Sequence, residues 1–289
     1  TVFSTAIGIL VLGIIGIYQI KVSGSIIEDM PKKAPFFKDI LFYEKEFDGV
    51  MPLEIVIDTK RPKGALKSVT LKRIEELQET IIEIPELSKP VSIVNLVKYS
   101  KQAYYNGNPE FYELPTKQEE AFILSYIKNS TQKGNENMLK SYVDSTGQYA
   151  RITTFMRDIG TDRMQKIEER LQDKINHIFP KERYEVSLTG KAYVFEKGTH
   201  YLIDNLVQSL LFAIVLISLL MAYMFRSFKM IVVSLLPNIL PLVMTAGLMG
   251  FLGISIKPST ILVFSIAFGI SVDDTIHFLA KYRQELKAN

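Results

Sequence analysis

An apolar run near the end of the chain, Ser259–Ala280, reads STILVFSIAFGISVDDTIHFLA. It is long enough to cross a bilayer, because a spanning helix needs about 20 apolar residues, yet it contains two adjacent acids, Asp273 and Asp274. A carboxylate near the bilayer centre costs about 2.5–3.5 kcal/mol on insertion scales, and two neighbouring negative charges also repel each other. Such a pair has to be protonated, paired or turned toward water. All three conditions suit a site that takes up and releases protons.

Apolar residues are concentrated at the start of the chain and in its last third. The predicted membrane-spanning helices are residues 1–20, 201–226, 229–253 and 259–281, and residues 282–289 begin a cytoplasmic amphipathic segment. The first span is not interpreted as a signal peptide, because no basic region precedes it and no small-residue cleavage pattern follows it. The sequence therefore predicts a multi-pass membrane α-helical bundle.

Basic residues set the expected orientation of these spans. They follow the second and the fourth span, at Arg226, Lys229, Lys281, Arg283 and Lys287. By the positive-inside rule both places are cytoplasmic. Residues 21–200 are then extracytoplasmic, and both ends of the chain face the cytoplasm.

Residues 21–200 are mixed and charged, as in a soluble domain, and their periodicities predict two β-α-β units. The first comprises a strand at 53–58, a helix that Pro85 ends, a short strand at 89–94 and a further helix to about Tyr105. The second comprises a strand at 148–158, a helix at 161–179 and a strand at 184–189. This order predicts an α+β domain of the ferredoxin-like type, with its helices on one face. The insert at 104–137, helical around 119–128, is expected to be a mobile loop or a docking element.

The composition and the motifs argue against several classes of function. The net charge of +3 indicates no nucleic-acid partner, and the absence of cysteine excludes disulfides. There is no P-loop, no metal-ligand cluster and no nucleophile beside a partner histidine, and His177 and His200 are isolated in the sequence. We therefore expect neither an enzyme nor a cofactor.

The third predicted span contains two prolines and a face of small residues. Pro237 and Pro241 free backbone carbonyl groups and kink a helix. The small residues are Ala246, Gly247, Gly250 and Gly253. They permit close helix packing, or, together with the kink, they leave room for motion beside the fourth span; both interpretations stay open at this point.

The fourth span places Gly269, Asp273 and His277 on one stripe, four residues apart. Asp274 lies about 100° from Asp273 around the helix, so the two acids need not point to the same place. Gly269 lies one turn before Asp273 and has no side chain to occupy the space beside the acids. His277 pairs with either acid or lies at the interface, and the acids themselves are either intramembrane or interfacial.

The segments FGISVDDTIHFLAKYRQEL (Phe268–Leu286) and SFKMIVVSLLPNILPLVMTAGLMGFLGI (Ser227–Ile254) resemble two consecutive helices of the RND superfamily, close to its MMPL/Patched-like branch. The resemblance is strongest over Arg226–Leu286. It implies a periplasmic porter domain at 21–200 and export of hydrophobic or lipid-like molecules, driven by the proton gradient, from the bacterial inner membrane. It also implies that Asp273 and Asp274 form the proton relay, with support from His277 and Gly269.

In this superfamily one transporter half has six spans, so the resemblance makes the chain one half, truncated after its fourth span. The expected partners are lipid or other hydrophobic cargo, the other transmembrane half and, in a homo-oligomer, further copies. Two alternatives remain. One is a protein-export auxiliary of the SecD/SecF type, and the other is a non-transporting sterol-sensing or receptor-like membrane protein, in which the acids are dispensable.

Overall fold

The structure is a computed structural model that describes residues 2–20, 24, 27, 30–132, 139–225 and 228–288. The chain divides into two compact units. One comprises Ser25–Glu196, and the other comprises Thr1–Gly24 together with Lys197–Asn289.

A three-stranded antiparallel sheet forms the centre of the unit Ser25–Glu196. Its strands are β1 (Met51–Asp58), β2 (Tyr149–Met156) and β3 (Glu185–Thr189), in the order β2-β1-β3. Alternate residues of β1 are buried, as expected for a sheet with one covered face. Residue Ile55 is opposite Ile152 of β2 and Leu188 of β3, so the three strands bury one row of apolar side chains.

The short strand predicted at 89–94 is wrong in its extent. Only Leu87 and Val91 form isolated bridges, which pair with β2. Pro90 has no N–H to donate, and Ser92 already caps the next helix, with Asn95 completing a capping box. Even so, these bridges place the segment outside β2. The four extended segments thus follow the order of a split β-α-β arrangement.

Five helices of this unit are described: α2 (Pro35–Glu46), α3 (Ser68–Ile82), α4 (Ile93–Tyr104), α5 (Glu120–Gln132) and α6 (Thr161–Ile178). Helices α3 and α6 follow β1 and β2 in the chain and pack against each other. Their apolar stripes, which include Ile74 and Leu77 on α3 and Leu171 on α6, join the sheet in one core. The spacing of three or four residues within these stripes is the helical period visible in the sequence.

The insert after α4 is held by ion pairs to a buried lysine. The side chain of Lys101 is 2% exposed, and its Nζ atom lies 2.9 Å from a carboxylate oxygen of Glu113 and of Glu119. The Tyr105 hydroxyl donates to the second oxygen of Glu119 at 2.9 Å. The hydrogen bond from Lys101, with further bonds from Thr116, lowers the pKa of Glu119 to about 2. The described part of the insert is therefore anchored to α4.

The other unit contains α1 (Val2–Ile17), most of α7 (Lys191–Phe225), α8 (Phe228–Phe251) and α9 (Pro258–Ala288). Each helix overlaps one predicted span. Helix α7 begins directly after Gly190, and α9 continues through the segment predicted to start at 282. Within the described residues, Lys191–Tyr223 and Ser259–Tyr282 are long and apolar enough to cross a membrane. The other two spans stay predictions.

Helices α1 and α8 approach each other through their glycines. A Cβ atom on Gly16 would overlap the backbone of Gly247, and one on Gly247 would lie 2.5 Å from the Cα atom of Gly13. A Cβ atom on Gly250 would likewise overlap the backbone carbonyl of Gly16. Gly247 and Gly250 of the small-residue face therefore pack against the first span, whereas Gly253 follows the end of α8 and a Cβ atom there would meet nothing within 4 Å. Room for motion beside the fourth span stays a prediction.

We expect Gly16→Ala to destabilise the helical unit by about 1–3 kcal/mol, because the added methyl group has to displace backbone atoms of α8. Thermal unfolding of the purified protein in detergent measures the effect. The matched control is Gly8→Ala on the same helix, where a Cβ atom would meet nothing within 4 Å. Equal unfolding temperatures for the two variants would contradict the close contact.

The ion cluster around Glu119 predicts an acid-dependent stability. The pKa of Glu119 is about 2 in the folded protein against an ordinary value of 4.5, so its ionised form stabilises the fold above pH 4.5 and this contribution is lost as the pH falls toward 2. We expect Glu119→Gln to lower the unfolding temperature at pH 7 and to flatten its dependence on pH across that window. Glu120→Gln, next to it, is the control. A wild-type pH dependence in the Glu119 variant would refute the prediction.

Candidate functional site

Helix α9 has a packed face and an open face. Phe268, Val272 and Leu279 lie on the packed face and are 2%, 3% and 7% exposed. The side chains of Asp273 and His277 lie on the open face and are 70% and 79% exposed. Each residue advances about 100° around a helix. Once Phe268 and Val272 face the interior, the helical period therefore places Asp273 and His277 on the opposite side. The helical unit thus leaves both ionisable groups uncovered by α8.

Asp273 and His277 are neighbours on that open face. The Nε2 atom of His277 lies 3.5 Å from the Oδ1 atom of Asp273, which is within ion-pair distance but longer than a good hydrogen bond. The predicted stripe is therefore present, and of the two acids it is Asp273 that His277 approaches. The two side chains form an ion pair only when the imidazole is protonated and the carboxylate is ionised.

Asp274 occupies the neighbouring sector of the same open face. Its side chain is exposed, and it points about 100° away from Asp273 around the helix. The two acids lie eight and nine residues before Tyr282, which is about 13 Å along the helix axis. They are consequently well inside the apolar stretch.

Gly269 lies one turn before Asp273, and the space beside it is open. A Cβ atom at this position would meet no described atom within 4 Å. The supporting role expected for Gly269 beside the acids stays a prediction.

A buried polar contact between α8 and α9 was missed from the sequence. Asn238 is 3% exposed, and its Oδ1 atom accepts hydrogen bonds from Ser271 Oγ at 2.5 Å and Thr275 Oγ1 at 3.1 Å. Two signals were available: one amide inside an apolar helix, and two hydroxyl residues four positions apart on the next helix. Neither signal shows that the groups meet.

Metal binding finds no support in the part of the chain that the structure describes. No group of three His, Cys, Asp or Glu side chains there is arranged to hold a metal ion. The three histidines lie on three different helices, α6, α7 and α9.

The sequence profile of the MMPL family matches residues 118–289, which is more than half of the chain and includes α7, α8 and α9. The chain belongs to the MMPL family. The resemblance drawn from the sequence is thereby confirmed. Members of this family are RND-type transporters of lipid-like substrates, not enzymes. No curated protein matches the chain significantly.

The open face of α9 predicts a chemical reactivity. We expect dicyclohexylcarbodiimide, an apolar reagent that attacks protonated carboxyl groups, to label the peptide that carries Asp273 and Asp274. Mass spectrometry of the digested protein measures the labelling, and the double variant Asp273→Asn, Asp274→Asn is the control. An unlabelled wild-type peptide would contradict an accessible carboxyl group in an apolar environment.

Proposed function

We propose that the protein exports hydrophobic or lipid-like molecules across or out of the bacterial inner membrane, and that the proton gradient drives this export. The observation that carries the proposal is the exposed pair Asp273 and Asp274, in an apolar helix, with His277 3.5 Å from Asp273. Membership of a transporter family supports a role of this pair in transport.

The acids have the chemistry that a proton carrier needs. In an apolar environment a neutral carboxylic acid is far cheaper than a carboxylate. A proton that crosses 100 mV of membrane potential releases about 2.3 kcal/mol. This energy is similar to the cost of about 2.5–3.5 kcal/mol for a carboxylate at the bilayer centre. The gradient can therefore switch such an acid between its two forms.

We assign the relay itself to Asp273 and Asp274, and a supporting role to His277 and Gly269. His277 can receive a proton from Asp273 or return one, and Gly269 keeps the adjacent surface free of bulk. The segment Ser259–Ala280 contains no Lys or Arg. The counter-charge for an ionised acid has to come from another helix, and the other transmembrane half of the transporter is the expected source.

The unit Ser25–Glu196 is proposed as an extracytoplasmic porter domain that handles the cargo. The positive-inside rule supports this location, and the split β-α-β arrangement agrees with the domain that the resemblance implies. Lipid or another hydrophobic molecule is the proposed cargo.

The test is transport by the purified full-length transporter, with both transmembrane halves, in proteoliposomes with an imposed pH gradient and a fluorescent lipid as cargo. We expect Asp273→Asn and Asp274→Asn each to reduce gradient-driven transport by at least ten-fold, because an amide cannot carry a proton. Glu285→Gln, which removes a carboxylate from the same helix about three turns further on, should transport like the wild type.

Unchanged transport in both aspartate variants would reject the relay. Gradient-dependent release of an exported polypeptide instead of lipid would favour the protein-export alternative. Lipid binding that does not respond to the gradient or to either substitution would favour a sensor.

A further inference from the structure

One side-chain oxygen of Asn238 on α8 accepts two hydrogen bonds from α9. Asn238 lies between Pro237 and Pro241 on α8 and is 3% exposed. Its Oδ1 atom accepts from Ser271 Oγ at 2.5 Å and from Thr275 Oγ1 at 3.1 Å. The Thr275 hydroxyl also lies 2.9 Å from the backbone carbonyl oxygen of Ser271. We call these three side chains the amide clip.

The remaining contacts of α9 do not fix its rotation strongly. Its packed face consists of apolar side chains such as Phe268 and Val272. In a membrane the lipid tails are as apolar as these side chains. The free energy of helix packing therefore changes little when one apolar side chain of α9 faces α8 and its neighbour faces lipid. Hydrogen bonds, in contrast, weaken steeply when their geometry is lost. The amide clip is therefore the directional part of the contact.

The positions of the two hydroxyl residues relate the clip directly to the acids. Ser271 lies two residues before Asp273, and Thr275 lies two residues after it. Two residues correspond to about 200° around a helix. With both hydroxyls turned toward Asn238, Asp273 is held nearly opposite α8.

A rotation of α9 by one residue would replace the clip with a different contact. Ile270 and Asp274 would then occupy the positions that Ser271 and Thr275 now have beside Asn238. Asp274 would face α8, and Asp273 would leave the centre of the open face. The hydroxyls thus determine which side of α9 the acids present.

We propose that Asn238 is a positioning residue: by binding Ser271 and Thr275 it sets the rotation of α9 that turns Asp273 and His277 away from α8. This inference rests on the proposed function for its consequence in transport. The rotation itself does not depend on that function and can be measured separately.

The experiment measures rotation through single cysteines, which the cysteine-free chain permits without background. Val272→Cys reports the packed face, 3% exposed, and Ile270→Cys reports the open face, 62% exposed, at nearly the same depth. The rate of reaction with N-ethylmaleimide is measured for each in the protein in nanodiscs. We expect the open-face cysteine to react at least ten-fold faster.

The hydroxyls of the clip are then removed by Ser271→Ala, which deletes only the oxygen atom, together with Thr275→Val, which keeps the shape of the side chain. We expect the packed-face cysteine to react several-fold faster and the open-face cysteine to react more slowly. The matched pair Ser271→Thr with Thr275→Ser keeps both hydroxyls and should restore the original ratio of rates. General loosening would instead raise both rates together, so opposite changes identify rotation. If the double variant does not fold, Thr275→Val against Thr275→Ser gives the same comparison.

Gradient-driven transport is measured on the same variants without the cysteines. Opposite rate changes with reduced transport in the hydroxyl-free variant would support the proposal. Unchanged rates, or rates that rise together, would overturn it whatever transport does. Asp273→Asn should leave the ratio of labelling rates unchanged. Loss of the relay and loss of the clip are therefore distinguished.

Discussion

The high free energy of an ionised group in hydrocarbon determines which face of α9 can carry its acids. Two carboxylates lie inside an apolar helix, Asp273 and Asp274, and neither can be turned toward lipid without a large cost unless it is neutral or paired. Helix α9 has one face to offer to α8, and it uses Phe268 and Val272 there. The acids are consequently left on a face that has to meet protons, water or another polar helix. The position of the site follows from this division of one helix into two faces.

Features confined to one element could be predicted from the sequence. The stripe of Asp273 and His277 needs only the helical period, and the structure brings their side chains within 3.5 Å. The strands and helices of the β-α-β units also follow from local periodicity. The error at 89–94 arose where two local signals compete. A β-branched run favours a strand there, but Pro90 has no N–H to donate to a neighbouring strand, and Ser92 caps a helix.

Features that join distant parts of the chain could not be predicted in the same way. The small residues of α8 were recognised, but their neighbour is α1, more than 200 residues earlier in the chain, and no periodicity selects one neighbour over another. Asn238 likewise meets Ser271 and Thr275 across two helices, 33 and 37 residues apart. The ion cluster at Lys101 is a further example, because a lysine on an amphipathic helix usually reaches solvent.

Two helix contacts in the helical unit differ in kind. Helices α1 and α8 approach each other through backbone atoms, whereas α8 and α9 make contact through side chains. Where two backbones touch, no side chain is available to change its rotamer, and the helices can neither slide nor turn without collision. Helices α1 and α8 therefore act as a rigid frame. Helix α9 meets α8 through side chains instead of backbones, among them the amide clip. An inhibitor that wedges between α8 and α9 would have to displace only side chains, whereas one aimed at the glycine contact of α1 and α8 would have to separate two backbones.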